Sequence, residues 1–487
     1  MDGSPEWTEV GHEQGLDHLA MLSIIESHYQ SLLPGFSSVT TRLRNYSFYA
    51  YWVCYYKKHI RNNARNFFED QTRRIEALYA LASAQLEKET GVAGSTFANE
   101  KLQKGDDPIN FITETDYNSP QNERYLAPRG GAFPGIYSGP MSDIGIIARG
   151  EEHNLPVPMP GSPCEKLAEA YGTTIHEFSN QFHVAATAGM ISRSQLSVMI
   201  KMAPSKLDQE SEEAEILRAL LMGDYGEPNS NNRRLTLLNI LEIADRVGAV
   251  TEKSLRWWWM DNSPDGRFAE IHKQWQYYQV GDMVRNTYEA LLNKVVIALE
   301  DHHLGLSLSE LLELLLEEIP DVSMSEYFTV VLRDQGTLRD QFSASLSADA
   351  SIDTILAPFA HLWKTWSDRV DELYNCYGNL AGVQSCASEF EWISSNTHRS
   401  AKDVVSDLIS KRVIGRHLDV AARKFKIQGT YTYRIEIDEA RLVARQTSGL
   451  SPSGPRLATA ISFLEDIDFL SEGNLTPRGK AYLEASA

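Results

Sequence analysis

The sequence predicts a mainly α-helical protein with a multi-helical N-terminal and central region, a loop-rich insertion, and a C-terminal winged-helix-like α+β module. Three observations predict this class. Apolar residues recur at three- and four-residue spacing along most of the chain, turn-forming residues accumulate in one internal stretch, and a short alternating pattern lies near the C-terminus. The 487 residues have room for several domains, and we expect four regions, 1–91, 92–164, 165–396 and 397–487.

The N-terminal region 1–91 has the apolar spacing of three helices, over about 16–33, 41–59 and 64–88. The Pro34-Gly35 step ends the first helix, because proline and glycine together favour a turn. The hydroxyl residues that follow this step are good N-caps for the second helix, since their side chains can accept hydrogen bonds from the backbone N–H groups of its first turn.

Region 92–164 is rich in Gly, Pro, Asn and Ser and shows no long periodic element. Loops of this length are usually functional or disordered, and the apolar run 144–147 favours an ordered, functional loop region. The central region returns to helical spacing. The helices predicted there cover 165–189, 192–202, 209–222, 232–248, 265–279, 283–302, 306–318, 322–333 and 352–376.

The C-terminal region 397–487 mixes helix and strand patterns. Its spacing predicts helices over 401–424 and 456–468, and its alternation predicts a strand over 430–444. Residues 469–480 predict a short hairpin and then the start of a helix. This order of elements resembles a winged-helix module, a class that contacts nucleic acid in many proteins and docks protein partners in others.

Composition excludes several classes of protein. The formal net charge of −20 argues against a protein that coats nucleic acid over its whole surface, although it allows a local basic cleft. The four scattered cysteines have no Cys-x-x-Cys spacing, so we expect neither a zinc site nor a disulfide framework, as is typical of a reducing cytoplasm. We find no membrane-length apolar run, no apolar signal core among the first residues, and no nucleotide-binding or serine-hydrolase motif. We therefore expect a cytoplasmic protein without membrane contact.

The clearest functional signal is a basic segment inside this acidic chain. From Thr40 to Arg74 there are eight Lys/Arg and two acids, a net charge of +6. Hydroxyl groups, guanidinium groups and the N–H groups of a helix start all bind phosphate. The predicted phosphate ligands are Ser37, Ser38, Thr40, Thr41, Arg42 and Arg44. In the alternative interpretation the arginines pair with the protein's many acids and the aromatic residues that follow are core.

The loop 114–143 combines aromatic residues, glycines and carboxylates, a mixture that suits a pocket for a flipped base. The predicted base-pocket residues are Tyr117, Asn118, Arg129, Phe133 and Tyr137. Asp116 and Asp143 are the candidate catalytic carboxylates, because a carboxylate can activate water or stabilise developing positive charge. The alternative is a turn-rich connector in which Asp and Asn serve local Asx-turns.

Two further groups of residues are candidate ligand sites. Between Arg399 and Arg445 there are eleven Lys/Arg and six acids, and Arg416, Arg423 and Lys424 are predicted to add a phosphate-facing strip. His176 and His183 lie seven residues apart, so they can share a helix face, but no third ligand is evident and core histidines are favoured. We expect no metal and no cofactor.

Residues 32–52 resemble a known signature. The form Leu-Leu/Phe-Pro-Gly-x-Ser-x-x-Thr-x-Arg-x-Arg-Tyr-x-x-Phe-Tyr resembles the N-terminal signature of poorly characterised bacterial proteins found among anti-phage defence genes. The matching residues here are Arg42, Arg44, Phe48 and Tyr49. Asn45 stands where the pattern has its first Tyr, and Tyr46 follows one place later. A weaker similarity covers 417–424.

The resemblance implies a role in phage defence and, for some such proteins, a DNA glycosylase activity against modified phage bases. The expected function is therefore a DNA-acting protein that flips and excises a modified base, such as a glucosylated hydroxymethyl pyrimidine, and leaves an abasic site. Its partner would be phage DNA, and the sequence predicts no particular protein partner. The alternative is a non-enzymatic helical nucleic-acid sensor or protein adaptor. The pocket hypothesis requires segments 37–52 and 114–143 to meet in one cleft.

Overall fold

The computed structural model describes residues 17–148, 157–227, 230–333, 336–378, 383–446 and 449–486. Helix makes up 64% of the structure and strand 5%, which confirms the predicted mainly α class. The α-helices are α1 (Leu22–Leu32), α2 (Asn45–Tyr55), α3 (Arg65–Ser83), α4 (Ser95–Gln103), α5 (Ile112–Thr115), α6 (Ser138–Asp143), α7 (Ser162–Ile175), α8 (Ser179–Ala188), α9 (Arg193–Val198), α10 (Glu212–Leu221), α11 (Ser230–Val247), α12 (Glu252–Asp261), α13 (Ala269–Glu300), α14 (Leu308–Leu315), α15 (Met324–Val331), α16 (Leu338–Ser345), α17 (Ile352–Trp366), α18 (Val370–Tyr377), α19 (Cys386–Ser394), α20 (Ala401–Asp407), α21 (Arg416–Gln428), α22 (Leu457–Asp466) and α23 (Pro477–Ala485). Within these described ranges, three π-helical segments cover Tyr56–Ile60, Phe133–Tyr137 and Leu408–Gly415.

The strands within the described residues form four short antiparallel pairs. They are β1 (Ile109–Asn110) with β4 (Met190–Ile191), β2 (Ile147–Ala148) with β3 (Met159–Pro160), β5 (Ile435–Asp438) with β6 (Arg441–Ala444), and β7 (Leu470–Ser471) with β8 (Asn474–Leu475). The register pairs Ile109 with Ile191 and Ile435 with Ala444. The pairs are too small to form a sheet core, so helix packing must supply most of the buried apolar surface.

Several helices begin at local sequence signals that satisfy their free N–H groups. Full capping boxes open α9, α14, α15, α16 and α19. In α14, for example, the Ser307 hydroxyl accepts from the Glu310 N–H, and the Glu310 carboxylate accepts from the Ser307 N–H. Such reciprocal bonds fix the helix start before any tertiary contact forms.

The chain divides into two compact units. The N-terminal unit comprises the described residues of Gln30–Trp258, Pro264–His272 and Gly454–Ala487. The C-terminal unit comprises those of Met1–Tyr29, Trp259–Ser263 and Lys273–Ser453. Residues of the predicted region 397–487 therefore belong to both units, and the winged-helix assignment and the four domain boundaries stay predictions.

Aromatic side chains dominate the core of the N-terminal unit. Phe48 of α2 stacks on Tyr79 of α3 with 3.9 Å between ring centroids and also contacts Tyr171 of α7. The Trp52 indole donates to the Thr72 hydroxyl at 2.9 Å, which pairs the polar atom of an otherwise apolar side chain. In the C-terminal unit, buried aromatic side chains of α13 and α17 contact each other. No helix among the described residues is both long enough and apolar enough to cross a membrane.

Candidate functional site

Arg44, a predicted phosphate ligand, is enclosed in the N-terminal unit. It is 1% exposed, and its Nε and Nη2 donate to the two carboxylate oxygens of Glu213 at 2.9 and 3.0 Å. Its Nη1 donates to the backbone carbonyls of Lys201 and Ala203 at 3.0 and 2.8 Å. Four of the five N–H donors of the guanidinium therefore have protein acceptors.

Arg42 is also paired, although it is partly exposed. Its Nε donates to Asp466 and its Nη1 to Glu89, each at 2.9 Å, and 19% of its side chain is exposed. The other oxygen of Asp466 accepts from the backbone N–H of Leu43 at 2.7 Å. These contacts match the alternative interpretation, in which the arginines pair with the protein's acids.

The start of α2 offers no row of free N–H groups to a phosphate. The helix begins at Asn45 rather than at the predicted residue 41, because the chain still turns at 43–44. The N–H groups of residues 45, 46 and 47 each donate to the carbonyl three residues earlier. Anion binding at a helix start depends on donors that lack such partners.

The four hydroxyl residues before α2 differ in exposure. Ser38 is exposed, Ser37 and Thr41 are half-buried, and Thr40 is fully buried. The Ser37 hydroxyl accepts from the N–H of Val39 at 3.2 Å, which is a local turn contact. The four side chains therefore do not present one shared surface.

Segments 37–52 and 114–143 do meet, but they meet in a packed core. Phe133 and Tyr137 are 1% and 2% exposed. Their ring centroids lie 5.3 and 4.3 Å from that of Tyr49 in α2. These two predicted base-pocket residues therefore contribute to the hydrophobic core of the N-terminal unit.

The rest of the predicted base pocket is organised by local contacts. Asp116 is exposed and accepts from the backbone N–H and the side-chain amide of Asn118 at 2.9 and 3.0 Å. This is an Asx-turn, the alternative interpretation of this loop. The half-buried Tyr117 ring lies 4.2 Å from the guanidinium carbon of Arg124 and 5.0 Å from that of Arg129, within cation–π distance.

Asp143 and Arg129 are the two remaining predicted residues of this loop. Asp143 is the half-buried last residue of α6. Arg129 donates from Nε to Glu69 of α3 at 3.1 Å.

Glu76 of α3 accepts hydrogen bonds from the backbone that follows the glycines of this loop. It was not among the residues predicted from the sequence. Its carboxylate is buried and accepts from the Tyr49 hydroxyl and from the N–H groups of Ala132 and Phe133, at 2.8–2.9 Å. Burial raises the pKa of this carboxyl to about 7, although the three hydrogen bonds act against the rise. Gly131 has a φ of +74°, and a Cβ there would lie 2.1 Å from a Glu76 carboxylate oxygen. Only glycine fits beside this carboxylate.

A cavity of about 680 Å³ lies between the end of α2 and α7 within the N-terminal unit. Tyr55, Lys57, Lys58 and His59 line one side, where α2 continues into the π-helical turn Tyr56–Ile60. Wide turns of this kind recur at functional sites. Neither Asp116 nor Asp143 is among its lining residues.

Two lysines of the basic segment line the cavity without an ion pair to any described residue. Lys57 and Lys58 are exposed, and no carboxylate of the described residues lies within ion-pair distance of either ammonium group. Sequence reasoning included both lysines in the charge count but did not select them. The Lys-Lys-His triplet directly after the aromatic helix was the signal that could have identified them.

Aromatic rings extend from the protein interior toward the rim of this cavity. His183 of α8 stacks on Tyr55 at 3.4 Å between centroids, nearly parallel, and Tyr55 contacts His59 at 4.6 Å. The Tyr51 hydroxyl lies 2.9 Å from His183 Nε2. Burial and the nearby His59 lower the pKa of His183 to about 4, so its ring is neutral at pH 7. His59 is exposed, and a planar ligand could extend the stack at its ring.

The opposite wall of the cavity is acidic. Glu165 and Glu169 lie one turn apart on α7, are exposed, and face the cavity. The small residues Ala168 and Gly172 lie on the same wall and leave room between the helices. The cavity thus joins cations and rings on one side to carboxylates on the other.

The predicted phosphate-facing strip, Arg416, Arg423 and Lys424, lies in the C-terminal unit. Arg416 donates to the carbonyl of Leu19 at 3.1 Å, Lys424 donates to the carbonyl of Asp17 at 2.7 Å, and Arg423 is exposed on α21. Among the described residues, no three His, Cys, Asp or Glu side chains are grouped to hold a metal ion.

Comparison of the chain with protein-family models, with curated proteins and with solved structures finds no match in any of the three.

Proposed function

We propose that this protein binds DNA and takes one unpaired or extruded nucleotide into the cavity between α2 and α7. The observation that carries the proposal is the pair of unpaired lysines beside an aromatic stack at a cavity of about 680 Å³. This volume is within the range of roughly 300–1,000 Å³ typical of small-ligand sites. The basic segment thus contributes to binding through Lys57 and Lys58, while Arg42 and Arg44 hold the fold.

The charges of the cavity would orient such a nucleotide. Phosphate would bind at Lys57 and Lys58 and be repelled by Glu165 and Glu169 on the other wall. The base would stack on the ring of His59, an interaction worth roughly 1–3 kcal/mol for aromatic side chains. Amino or hydroxyl groups of the base or sugar would then donate to the carboxylates of α7.

The resemblance to phage-defence proteins supports phage DNA with modified bases as the natural ligand and the bacterial cytoplasm as the compartment. The exposed Arg423 and the winged-helix-like order of elements in the C-terminal region support a further DNA contact outside the cavity. A single-stranded or damaged site should bind better than intact duplex, because extrusion of a paired base costs a few kcal/mol.

Reversing the charge of both cavity lysines is expected to weaken DNA binding at least tenfold. Lys57→Glu with Lys58→Glu removes two cations that would neutralise phosphates and adds repulsion. The salt dependence should therefore also fall, by roughly 0.7 in log–log slope for each phosphate that is no longer neutralised. Fluorescence anisotropy of a labelled single-stranded oligonucleotide at several salt concentrations measures both quantities.

The matched control is Lys88→Glu with Lys104→Glu, two exposed lysines of the same unit that do not line the cavity. It makes the same change in net charge and should keep the affinity within about twofold. Equal losses in the two double variants would assign binding to overall charge. An unchanged affinity in the cavity variant would exclude the cavity as the site.

Glu165 and Glu169 favour a second candidate function, excision of the bound base. A glycosylase needs a carboxylate near the anomeric carbon, either to stabilise positive charge or to activate water. These two residues line the cavity, whereas the predicted Asp116 and Asp143 do not.

Excision is tested by incubating the protein with phage DNA that carries glucosylated hydroxymethyl pyrimidines and by measuring released base and abasic sites. Release that is lost in Glu165→Gln with Glu169→Gln, and kept in Asp116→Asn, would support catalysis in the cavity. Binding without release from any DNA would leave the protein a nucleic-acid sensor.

A further inference from the structure

Two cysteines that are far apart in the sequence lie side by side between α2 and α7. The Sγ atoms of Cys54 and Cys164 are 3.6 Å apart, and both residues are free thiols. Their spacing in sequence gave no sign of the pair, because the two helices are joined by more than a hundred residues. The pair arises from the packing of α7 along α2, which also places Cys164 Sγ 3.8 Å from the carbonyl of Ala50.

The two thiols differ in exposure. Cys54 is half-buried and lines the cavity, whereas Cys164 is fully buried behind it. A small reagent that enters the cavity therefore meets Cys54 first. Cys164 can react only with a group already formed on Cys54.

The hydrogen bond between the two thiols and their surroundings shift the two pKa values in opposite directions. The hydrogen bond with Cys164 and the positive charge of Lys57 lower the pKa of the Cys54 thiol, while burial and Glu165 act against the fall. The same hydrogen bond, together with burial, raises the pKa of Cys164. Since the thiolate is the nucleophile, Cys54 is the sulfur prepared to attack.

We infer that Cys54 and Cys164 form an oxidisable thiol pair whose co-substrate is a hydroperoxide. The Cys54 thiolate attacks one peroxide oxygen, the O–O bond breaks, and an alcohol or water leaves after taking up a proton, so that Cys54 becomes a sulfenic acid. The Cys164 sulfur then attacks Cys54 sulfur, an S–S bond forms, the S–O bond breaks, and water leaves with the Cys164 proton. Two thiols and one hydroperoxide give one disulfide, one alcohol and one water.

Little movement separates the two thiols from this product. A disulfide needs about 2.05 Å between the sulfurs, so the 3.6 Å gap must close by about 1.5 Å. Rotation about the side-chain bonds of two residues on adjacent helices can supply a shift of this size. The bond would join α2 to α7, the two walls of the cavity, and its formation requires no nucleotide in the cavity.

The other two cysteines provide an internal comparison in the C-terminal unit. Burial raises the pKa of Cys376 to about 12, and Cys386 is fully buried. Neither thiol has the lowered pKa of Cys54. Both should remain reduced under conditions that oxidise the Cys54 pair.

The test treats the reduced full-length protein with a slight excess of hydrogen peroxide, alkylates the remaining thiols, and maps the peptides by mass spectrometry. We expect a Cys54–Cys164 disulfide with Cys376 and Cys386 alkylated. In Cys164→Ser, dimedone should trap a sulfenic acid on Cys54, and in Cys54→Ser, Cys164 should stay reduced.

Other outcomes would overturn the inference. In one, Cys54 of the wild-type protein oxidises to sulfinic acid without forming the disulfide with Cys164. In another, all four thiols are alkylated after the peroxide treatment, so none has been oxidised. If Cys376 oxidised as fast as Cys54, Cys54 would have no enhanced reactivity and the inference would be wrong. Because the wild-type peptide map decides between these outcomes, the inference stays testable even where a serine variant does not fold.

Discussion

Replacing Arg44 with methionine is expected to lower the free energy of unfolding of the N-terminal unit by about 3–5 kcal/mol. The change leaves the buried Glu213 carboxylate without its two donors. It also removes the donor shared by the carbonyls of Lys201 and Ala203. Urea denaturation followed by tryptophan fluorescence measures the loss, and hydrogen exchange of the α2 amides assigns it to this unit.

A second substitution separates the effect of the buried charge from the effect of packing. Arg44→Met combined with Glu213→Leu should recover part of the stability, because an apolar pair of similar volume often replaces a buried ion pair at little cost. The recovery should be incomplete, since the carbonyls of Lys201 and Ala203 lose the hydrogen bonds that Arg44 donates. Arg65→Met is the control, because 70% of the Arg65 side chain is exposed and its buried partner Glu69 keeps the donor from Arg129. It should cost about 1 kcal/mol or less.

The same variant distinguishes the two interpretations of the basic segment. If Arg44 were a phosphate ligand, Arg44→Met would keep the stability of the wild-type protein and lose affinity for DNA. A stable Arg44→Met protein with weakened DNA binding would therefore restore the phosphate-binding hypothesis for residues 37–44.

The fold class was predictable because helix signals are local. Apolar spacing places α1 inside the predicted 16–33 and α3 inside the predicted 64–88. Breaks and junctions within helices were harder to predict. The predicted helix 165–189 is divided into α7 and α8, and two predicted helices are joined in the 32-residue α13. Such differences depend on tertiary contacts that override local preference.

The strand predicted over 430–444 is a hairpin because of backbone conformations that the residue types do not suggest. Glu439 and Ala440 connect β5 to β6 with φ values of 46° and 65°. Hairpin turns of this kind usually carry glycine or asparagine at positive φ, so a Glu-Ala turn gives no signal in the sequence. The alternation itself was correctly recognised, but the reversal of the chain was not.

Composition located the basic segment. It could not show which of its cations form ion pairs within the fold and which are exposed. Glu213 and Asp466, which pair with Arg44 and Arg42, lie more than 150 residues further along the chain. Only the folded chain shows that these acids reach Arg44 and Arg42, whereas no acid of the described residues reaches Lys57. The cavity depends in the same way on the packing of α7 against α2, two elements separated by the whole loop region.

Glu76 should make the stability of the N-terminal unit depend on pH near neutrality. Its pKa is about 7 in the folded protein, against 4.5 for an ordinary glutamate. The folded state therefore holds the proton more tightly than the unfolded state. The stabilisation by this proton is complete below about pH 4.5 and is lost as the pH rises to about 7, a change of about 3 kcal/mol.

Glu76→Gln isolates this contribution, because a glutamine does not titrate. Its unfolding free energy relative to wild type should rise by about 2 kcal/mol between pH 5.5 and pH 8. The substitution also replaces one acceptor oxygen by an amide that cannot accept from the backbone N–H of Ala132. That loss lowers stability at every pH and so does not alter the expected slope. Urea denaturation of both proteins at four pH values measures the difference.

The groups around Glu76 explain why burial decides its pKa. Arg73 is the cation that lowers the pKa of Glu76, and it directs its Nε and Nη1 to backbone carbonyls of the loop rather than to the carboxylate. The hydroxyl of Tyr49 donates to Glu76, and Tyr125 and Tyr137 lie close by, with pKa values that burial raises. All of these groups are present in both proteins, so their contributions cancel in the comparison. Glu123→Gln, an exposed change in the same loop region, is the control for the change of residue type. A Glu76→Gln difference that stays constant with pH would mean that Glu76 remains ionised, held by its three hydrogen bonds in spite of burial.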